Sequence, residues 1–238
     1  MPKEHARLSP SAIRWLTCPA SPDAELAMPP NAASRAAMVG TDLHAHMELA
    51  LRLNAHAIDW LPNPEHRRQV QLVVNTIRGL MRPHRDARLF VEERLGPPHW
   101  RPQGDLFGTG DGIILADRLL AIVDAKFGTH AVEATSVQLK IYLSLAVERF
   151  GPRPLMLTVV VQPRLGRKIR IAAWSQREVT TFTAELQRAA AATDDPTAPR
   201  RANDHCWFCR ARPTCPEIIA LETRRAVNEL DAAVQGSL

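Results

Sequence analysis

The chain has 238 residues, 45% of them hydrophobic, enough for one large domain or a domain with a small appendage. Its formal charge of +5 is a mild basic bias that suits a polyanionic partner. No apolar stretch approaches the roughly 18 residues that a spanning helix needs, so membrane insertion is disfavoured and a soluble, cytoplasmic protein is expected.

Residues 8–30 are rich in proline and read as irregular, apart from a short helix starting at Ser9 or Ser11. Ser34 reads as the N-cap of a helix running to about Ala55, with Met38, Leu43, Met47 and Leu51 assigned to one apolar face. A second helix is predicted from Glu65 to Met81, with Val70, Val73, Val74, Ile77 and Leu80 inward and Pro83 beyond its end. The period then falls to two. Residues 88–95, 108–115 and 119–126 read as three strands, the last two joined through Ala116-Asp117-Arg118 as an antiparallel hairpin. Ser136 can cap a helix over 137–149 that ends near Gly151 and Pro152. Residues 155–162 form a β-branched run expected of a central strand buried on both faces, and 168–174 pairs with it across 163–167. A helix over 178–192 leads into a cysteine-rich segment and a helical tail. This order predicts an α/β fold with a mixed sheet flanked by helices. The chain divides accordingly into an N-terminal segment 1–33, a core 34–199 and a C-terminal segment 200–238.

Four cysteines are present: Cys18 near one end, and Cys206, Cys209 and Cys215 in a C-x2-C-x5-C run near the other. Four thiolates make one complete ligand set, and C-x2-C lets two sulfurs face one metal centre. Disulfides are disfavoured because no apolar leader precedes Cys18. Four unrelated buried thiols fit poorly with three cysteines inside ten residues. Zinc sites usually come as two paired knuckles, so the one-plus-three arrangement favours an iron–sulfur cluster, with zinc as the alternative. A centre of either kind would join both chain ends into one cluster-binding segment.

Two acidic residues stand where strand gives way to glycine or loop: Asp111 in Gly108-Thr109-Gly110-Asp111-Gly112, and Asp124 in Ile122-Val123-Asp124-Ala125-Lys126. A carboxylate after three apolar residues is costly unless paired or metal-bound, and two nearby carboxylates repel. A hard divalent cation removes the conflict. Asp124 and Lys126 are two apart and share one side of a strand. Lysine is scarce, present only as Lys3, Lys126, Lys140 and Lys168, which makes one inside a motif conspicuous. His44, in Gly40-Thr41-Asp42-Leu43-His44, flanks the apolar stripe of its helix and has Glu48 one turn on; Asp42 and His46 read as solvated. Gln138 and Tyr142 share a face of the helix after Lys126, and spacing alone suits a phosphate- or base-holding pair as well as a satisfied surface pair. Arg164, Arg167, Lys168 and Arg170, around one hairpin, suit either phosphate tracking or a solvated face.

Taken in order, His44, Asp111, Asp124-Ala125-Lys126 and the Gln138–Tyr142 pair resemble the motifs of the RecB-type branch of the PD-(D/E)XK nucleases, which includes lambda-type exonucleases and CRISPR-associated RecB-like nucleases. The cysteine pattern is similar to that of the iron–sulfur members, such as the AddB nuclease domain. Ser11-Ala12-Ile13-Arg14-Trp15-Leu16-Thr17-Cys18-Pro19 and the Gly40-Thr41 helix resemble phage-borne members. The resemblance runs from Leu8 to Cys215.

The resemblance implies a restriction-endonuclease-like core, with His44, Asp111 and Asp124 as ligands for Mg²⁺ or Mn²⁺ and Lys126 as the catalytic lysine. Gln138 and Tyr142 would stand on the substrate side. Glu92 or the adjacent Glu93 would supply a further acid, with Glu92 included in the candidate catalytic set; Asp105 ranks below both. Cys18, Cys206, Cys209 and Cys215 would hold a structural [4Fe–4S] cluster. The implied activity is hydrolysis of linear duplex DNA from its ends in phage-type recombination, with a recombinase or single-strand annealing partner. Two alternatives stand beside it: a non-catalytic, metal-stapled DNA-binding or scaffold module on the same fold, and a zinc enzyme of another class.

Overall fold

The computed structural model describes residues 6–32, 34–55 and 58–235; Lys3 lies outside them. The chain forms two compact units. One is built from residues 1–11 and 33–185, the other from 12–32 and 186–238, so both chain ends enter the second unit except for the first eleven residues. Sequence reading placed the divisions at 33/34 and 199/200.

The first unit is an α/β sandwich around a five-stranded mixed sheet. Its strands are β1 (Arg88–Leu95), β2 (Gly108–Leu115), β3 (Leu119–Ala125), β4 (Leu155–Val161) and β5 (Ile169–Trp174), in spatial order β1-β2-β3-β4-β5. All neighbours are antiparallel except β3 and β4, which are parallel. A parallel pair needs a long crossover, and helix α4 (Val137–Phe150) supplies it. The β2–β3 hairpin closes tightly, with mutual backbone hydrogen bonds between Ala116 and Leu119.

One sheet face, carrying Ala121, Val123, Val159 and Val161, packs on α2 (Arg35–Arg52) and α3 (Pro64–Met81). Leu43 and Met47 on α2 and Val70, Val73, Val74 and Ile77 on α3 complete that core. The opposite face meets α4, where Val160 packs with Leu139 and Ala134. Side chains alternate across a strand, so Val160 and its neighbours Val159 and Val161 reach different layers. Full burial of each such side chain stabilises the fold by about 1.5–3 kcal/mol. Within β4, Leu155 departs from the expected double burial by being exposed, and Leu157 is only partly buried.

The helix starts obey local chemistry. Ser34 Oγ accepts from Ala37 N at 3.1 Å, and Asn63 Oδ1 accepts from Glu65 N at 2.8 Å ahead of Pro64. Ser136 occupies the N-cap position of α4, yet its hydroxyl makes no capping bond. Helix α2 stops at Arg52 rather than Ala55 because Asn54 turns left-handed, φ 50°. There Ala55 N bonds to Ala50 O and Asn54 N to Leu51 O, the paired bonds of a Schellman ending. Met38, expected on the apolar face, is 56% exposed. It precedes Leu43 by five residues, about 140° round the helix and therefore off the stripe.

The second unit holds a 3₁₀ turn at Ile13–Leu16, helix α1 (Ser21–Leu26), the end of α5 (Gln176–Ala192), two 3₁₀ turns at Asp204–Phe208 and Arg212–Thr214, and α6 (Pro216–Gln235). No helix starts at Ser9 or Ser11; residues 10 and 11 form a turn. Helix α1 went unread in the sequence because its proline looked disruptive, although Pro22 sits in the first turn, where proline is tolerated.

Candidate active site and cysteine centre

The β1–β2 ladder runs in unbroken register from Arg88↔Leu115 to Leu95↔Gly108, save at one rung. Glu92 and Asp111 face each other across that rung without forming it. Glu92 has φ 50°, a left-handed conformation that is uncommon outside glycine and costs about 1–3 kcal/mol. His44, from α2, brings Nδ1 to 3.5 Å from Asp111 Oδ1, and its ring stands edge-on to Phe127 at 5.1 Å. One ligand atom each from His44, Glu92 and Asp111 fall within 4.8 Å of one another, the one such set among the described residues. They line a cavity of about 390 Å³ with Glu48, Thr109 and Tyr142.

Asp124 and Lys126 adjoin this set. Asp124 is only 5% exposed. Lys126 Nζ donates to Asp124 Oδ1 at 3.0 Å and lies 2.9 Å from Oδ2, too poorly aligned there for a hydrogen bond. Asp124 Oδ2 is thus buried with a neighbouring charge but no hydrogen-bond donor among the described residues. Lys126 Nζ also reaches Gln138 Oε1 at 3.4 Å, and Asp111 Oδ2 accepts from Ala125 N at 2.8 Å. The second of these bonds ties the Asp111 carboxylate to the end of β3.

The electrostatics follow from burial and from these neighbours. Burial raises the Asp111 carboxyl well above its usual range, and the Asp124 charge raises it further, against the Ala125 N–H and Lys126. Burial disfavours the Lys126 ammonium, but Asp124 and then Asp111 more than offset this, so Lys126 is held charged. Burial, then Asp124, pushes the Tyr142 phenol above its usual value, while its hydrogen bond with Gln138 opposes them; Tyr142 therefore stays protonated. Its ring is admitted by Gly108, where a Cβ would lie 2.8 Å from Tyr142 Cε1 and 2.8 Å from Pro10 Cγ.

The site thus gathers His44, Glu92, Asp111, Asp124, Lys126, Gln138 and Tyr142 from five elements and the Lys126 turn. The side chains whose ligand atoms converge are His44, Glu92 and Asp111, while Asp124, expected as a metal ligand with His44 and Asp111, pairs with Lys126 beside them. Glu93 points elsewhere and pairs with Arg149 at 2.6 Å. Asp105 is held by Arg101 at 2.7 Å. His46 accepts from Trp60 Nε1 and pairs with Asp42, away from the ligand set. Arg170, expected on a phosphate-tracking face, is 6% exposed and bonds to Gln162 Oε1. It sits in alternation between the exposed Ile169 and Ile171, so strand parity turns it inward. Thr109, on β2, and the Ser9–Ser11 turn also line the cavity without having been singled out, since isolated hydroxyls carry no periodic signal.

In the second unit, all four cysteines are free thiols lining one small cavity. Asn203 caps the turn that carries Cys206, accepting from His205 N at 2.9 Å. Arg201 N donates to Cys18 Sγ and Asn203 N to Cys206 Sγ, both at 3.3 Å. Glu25 joins the two stretches of chain, accepting from Arg14 Nη2 at 2.8 Å and from Arg210 N at 2.9 Å. Burial raises the Cys18 thiol, against the Arg201 N–H, and Cys206 and Cys215 add to the rise. Burial likewise raises Cys209, opposed by the Ala211 backbone. No three of these sulfurs lie within 4.8 Å of one another.

An α/β protein with a His–carboxylate set on the middle of β1 and β2 and four free thiols around another cavity is the class these features define. Within that class the chain belongs to the DUF2800 family, described as a protein of unknown function, whose profile matches residues 5–235. No curated protein matches the sequence. Among solved structures, it is similar to a candidate exonuclease from Eubacterium rectale, with 10% identity and a TM-score of 0.49, over 84% of this chain and 87% of that one. It is also similar to SSO0001, with 15% identity and a TM-score of 0.37, over 87% of this chain and 94% of that one.

Proposed function

We propose that this protein is a Mg²⁺- or Mn²⁺-dependent DNA nuclease that hydrolyses phosphodiesters, acting as an exonuclease at the ends of linear duplexes. The observation that carries the reading is the convergence of His44, Glu92 and Asp111 within 4.8 Å at the broken rung, beside the Asp124–Lys126 pair. The residues fit a hard divalent cation. Asp124 Oδ2 is a buried oxygen without a hydrogen-bond donor, and the surrounding donors are mostly carboxylate oxygens whose mutual repulsion a cation would relieve. His44, Glu92 and Asp111 would hold the ion, with Asp124 beside them. Such an ion supplies Lewis-acid polarisation of a phosphoryl oxygen and a water of lowered pKa.

The chain's own groups do the rest. Asp124 holds Lys126 charged and in place, so that its ammonium faces the negative charge developing on the phosphate. Gln138 orients Lys126 from the other side. Tyr142, kept as a neutral phenol, is a hydrogen-bond donor to a phosphate oxygen in the cavity. The preference for duplex ends, and a recombinase or annealing partner in phage-type recombination, follow from the motif resemblance.

The same proposal gives the cysteine centre a structural [4Fe–4S] cluster. The one-plus-three spacing of the cysteines supports it, and backbone N–H donors already point at two of the sulfurs.

The test is incubation of anaerobically purified protein with end-labelled linear and closed circular DNA, with and without Mg²⁺ or Mn²⁺. Metal-dependent shortening of the linear DNA alone supports the reading, and full activity in Asp124→Ala would sink it. Iron and sulfide analysis tests the cluster; one zinc per chain and no iron would replace it.

A further inference from the structure

A second cavity, of about 450 Å³, lies on the other side of α4 within the first unit. Its volume is that of pockets that take small ligands. Lys140 and Ser144 line it; each follows Gln138 or Tyr142 by two residues, roughly 200° round the helix from the active-site face. Trp174 and Phe182 supply aromatic walls. The Trp174 ring is fixed, because its Nε1 donates to Thr158 Oγ1 at 2.8 Å and Thr158 in turn bonds to Ala134 O at 2.6 Å.

Two features of this cavity suit a ligand. Lys140 Nζ stands over both rings, 5.3 Å from the Trp174 centroid and 5.6 Å from that of Phe182. Lys140 is itself partly exposed, so a ligand can displace its ammonium from the rings. Ser144 is 4% exposed, and its hydroxyl has no hydrogen-bond partner among the described residues. A buried hydroxyl left unpaired is unfavourable, and a polar ligand edge would satisfy it.

The charges select the ligand. Lys140 and Arg177 line the cavity, which disfavours a cation between the rings. Glu178 lines it as well, but its carboxylate accepts from Ser175 N at 2.7 Å and Ser175 Oγ at 2.6 Å as part of the cap of α5. Glu185 is the other carboxylate in the lining.

We propose that this cavity binds a nucleotide. The base stacks on Trp174 and Phe182 in place of the Lys140 ammonium, the phosphate is neutralised by Lys140 and Arg177, and the Ser144 hydroxyl bonds to the edge of the base. The choice of a nucleotide over other flat anions rests on the nuclease reading. Free mononucleotide and one unit of a single strand share this chemistry.

The test uses the full chain without added divalent cation. Binding of fluorescein-labelled oligothymidylate is read by anisotropy, and that of thymidine monophosphate by competition. Phe182→Ala should weaken binding about five- to hundredfold, the usual range for a lost base–aromatic stack. Lys140→Gln should weaken it and flatten its salt dependence. Ser144→Ala should weaken it severalfold while leaving the melting temperature of the free protein unchanged or higher, which a merely structural serine would not do. Parallel losses with both probes assign a mononucleotide site, and losses with the oligonucleotide alone assign a strand site. Wild-type affinity in all three variants overturns the proposal, and metal-dependent cleavage by those variants leaves the nuclease reading standing. Protein that neither binds nor cleaves overturns both.

Discussion

The carboxylate site and the cysteine centre are both sets of metal-ligating side chains, but they are organised by different means. Asp111 and Asp124 stand on neighbouring strands of a continuous sheet, and Glu92 on the next. Ladder pairs before and after the open rung, Val91↔Gly112 and Glu93↔Gly110, fix the strands there, so the sheet can hold like charges together and keep Glu92 in a left-handed conformation. The cysteines stand on short 3₁₀ turns and loops, held by an Asn203 cap, the Glu25 bridge and a few N–H···S bonds. One site is built on a strained strand and crowded carboxyl groups; the other consists of free thiols with little regular structure around them. An ion should therefore add chemistry to the first and folding free energy to the second.

The largest effect expected from this contrast is on catalysis alone. Asp111→Ala or Asp124→Ala should abolish metal-dependent cleavage, by a thousandfold or about that. Asp111→Ala should do so without lowering the melting temperature or the iron content, whereas Asp124→Ala also leaves Lys126 without its carboxylate and should cost some stability. Lys126→Ala should retain metal affinity and lose about a hundredfold or more in kcat, because its charge acts on the transition state. A parallel loss of fold in these variants would erase the distinction between the two sites.

Cys18→Ser should do the reverse. We expect loss of iron and sulfide and destabilisation by several kcal/mol, read as a lowered denaturation midpoint, since closing so long a loop and binding a structural centre both act on folding. An unchanged midpoint would show that turns and hydrogen bonds suffice in the second unit.

A smaller effect sharpens the charge argument. The folded-state Asp111 pKa is raised, so its contribution to stability is present below the ordinary carboxylate range and lost as pH rises through the raised value. Metal-free Asp111→Asn should therefore gain on wild type as pH rises from about 4 to 8, and added Mg²⁺ should stabilise wild type but not the variant. Thermal unfolding across that range, with and without Mg²⁺, reads both.

The smallest concerns the strained rung. Glu92→Gly relieves the left-handed backbone and should raise metal-free stability by roughly 1 kcal/mol, while weakening Mn²⁺ binding measured by calorimetry. No gain in stability would mean that the β1–β2 ladder bears the conformation without cost.

Much of the scaffold was legible because its signals are local. The apolar recurrence of Leu43 and Met47, the β-branched run before Val161 and the short link between β2 and β3 each encode an element in adjacent residues. The juxtaposition of Asp124 and Lys126 was equally readable, since residues two apart on a strand share a side. Three things were decided only in the folded chain. Glu92 and Glu93 are neighbours of identical chemistry, and their different fates depend on the partner strand: one faces Asp111 at the broken rung and the other meets Arg149. Arg170 belongs by composition to an exposed basic hairpin, yet parity and Gln162 place it inside. The convergence of His44, Glu92 and Asp111 beside Asp124 arises from the approach of α2, β1, β2 and β3, elements as far apart in sequence as His44 and Asp124. Periodicity is a property of a few consecutive residues, whereas a site is a meeting of distant ones, and only packing of the whole unit determines which side chains arrive there.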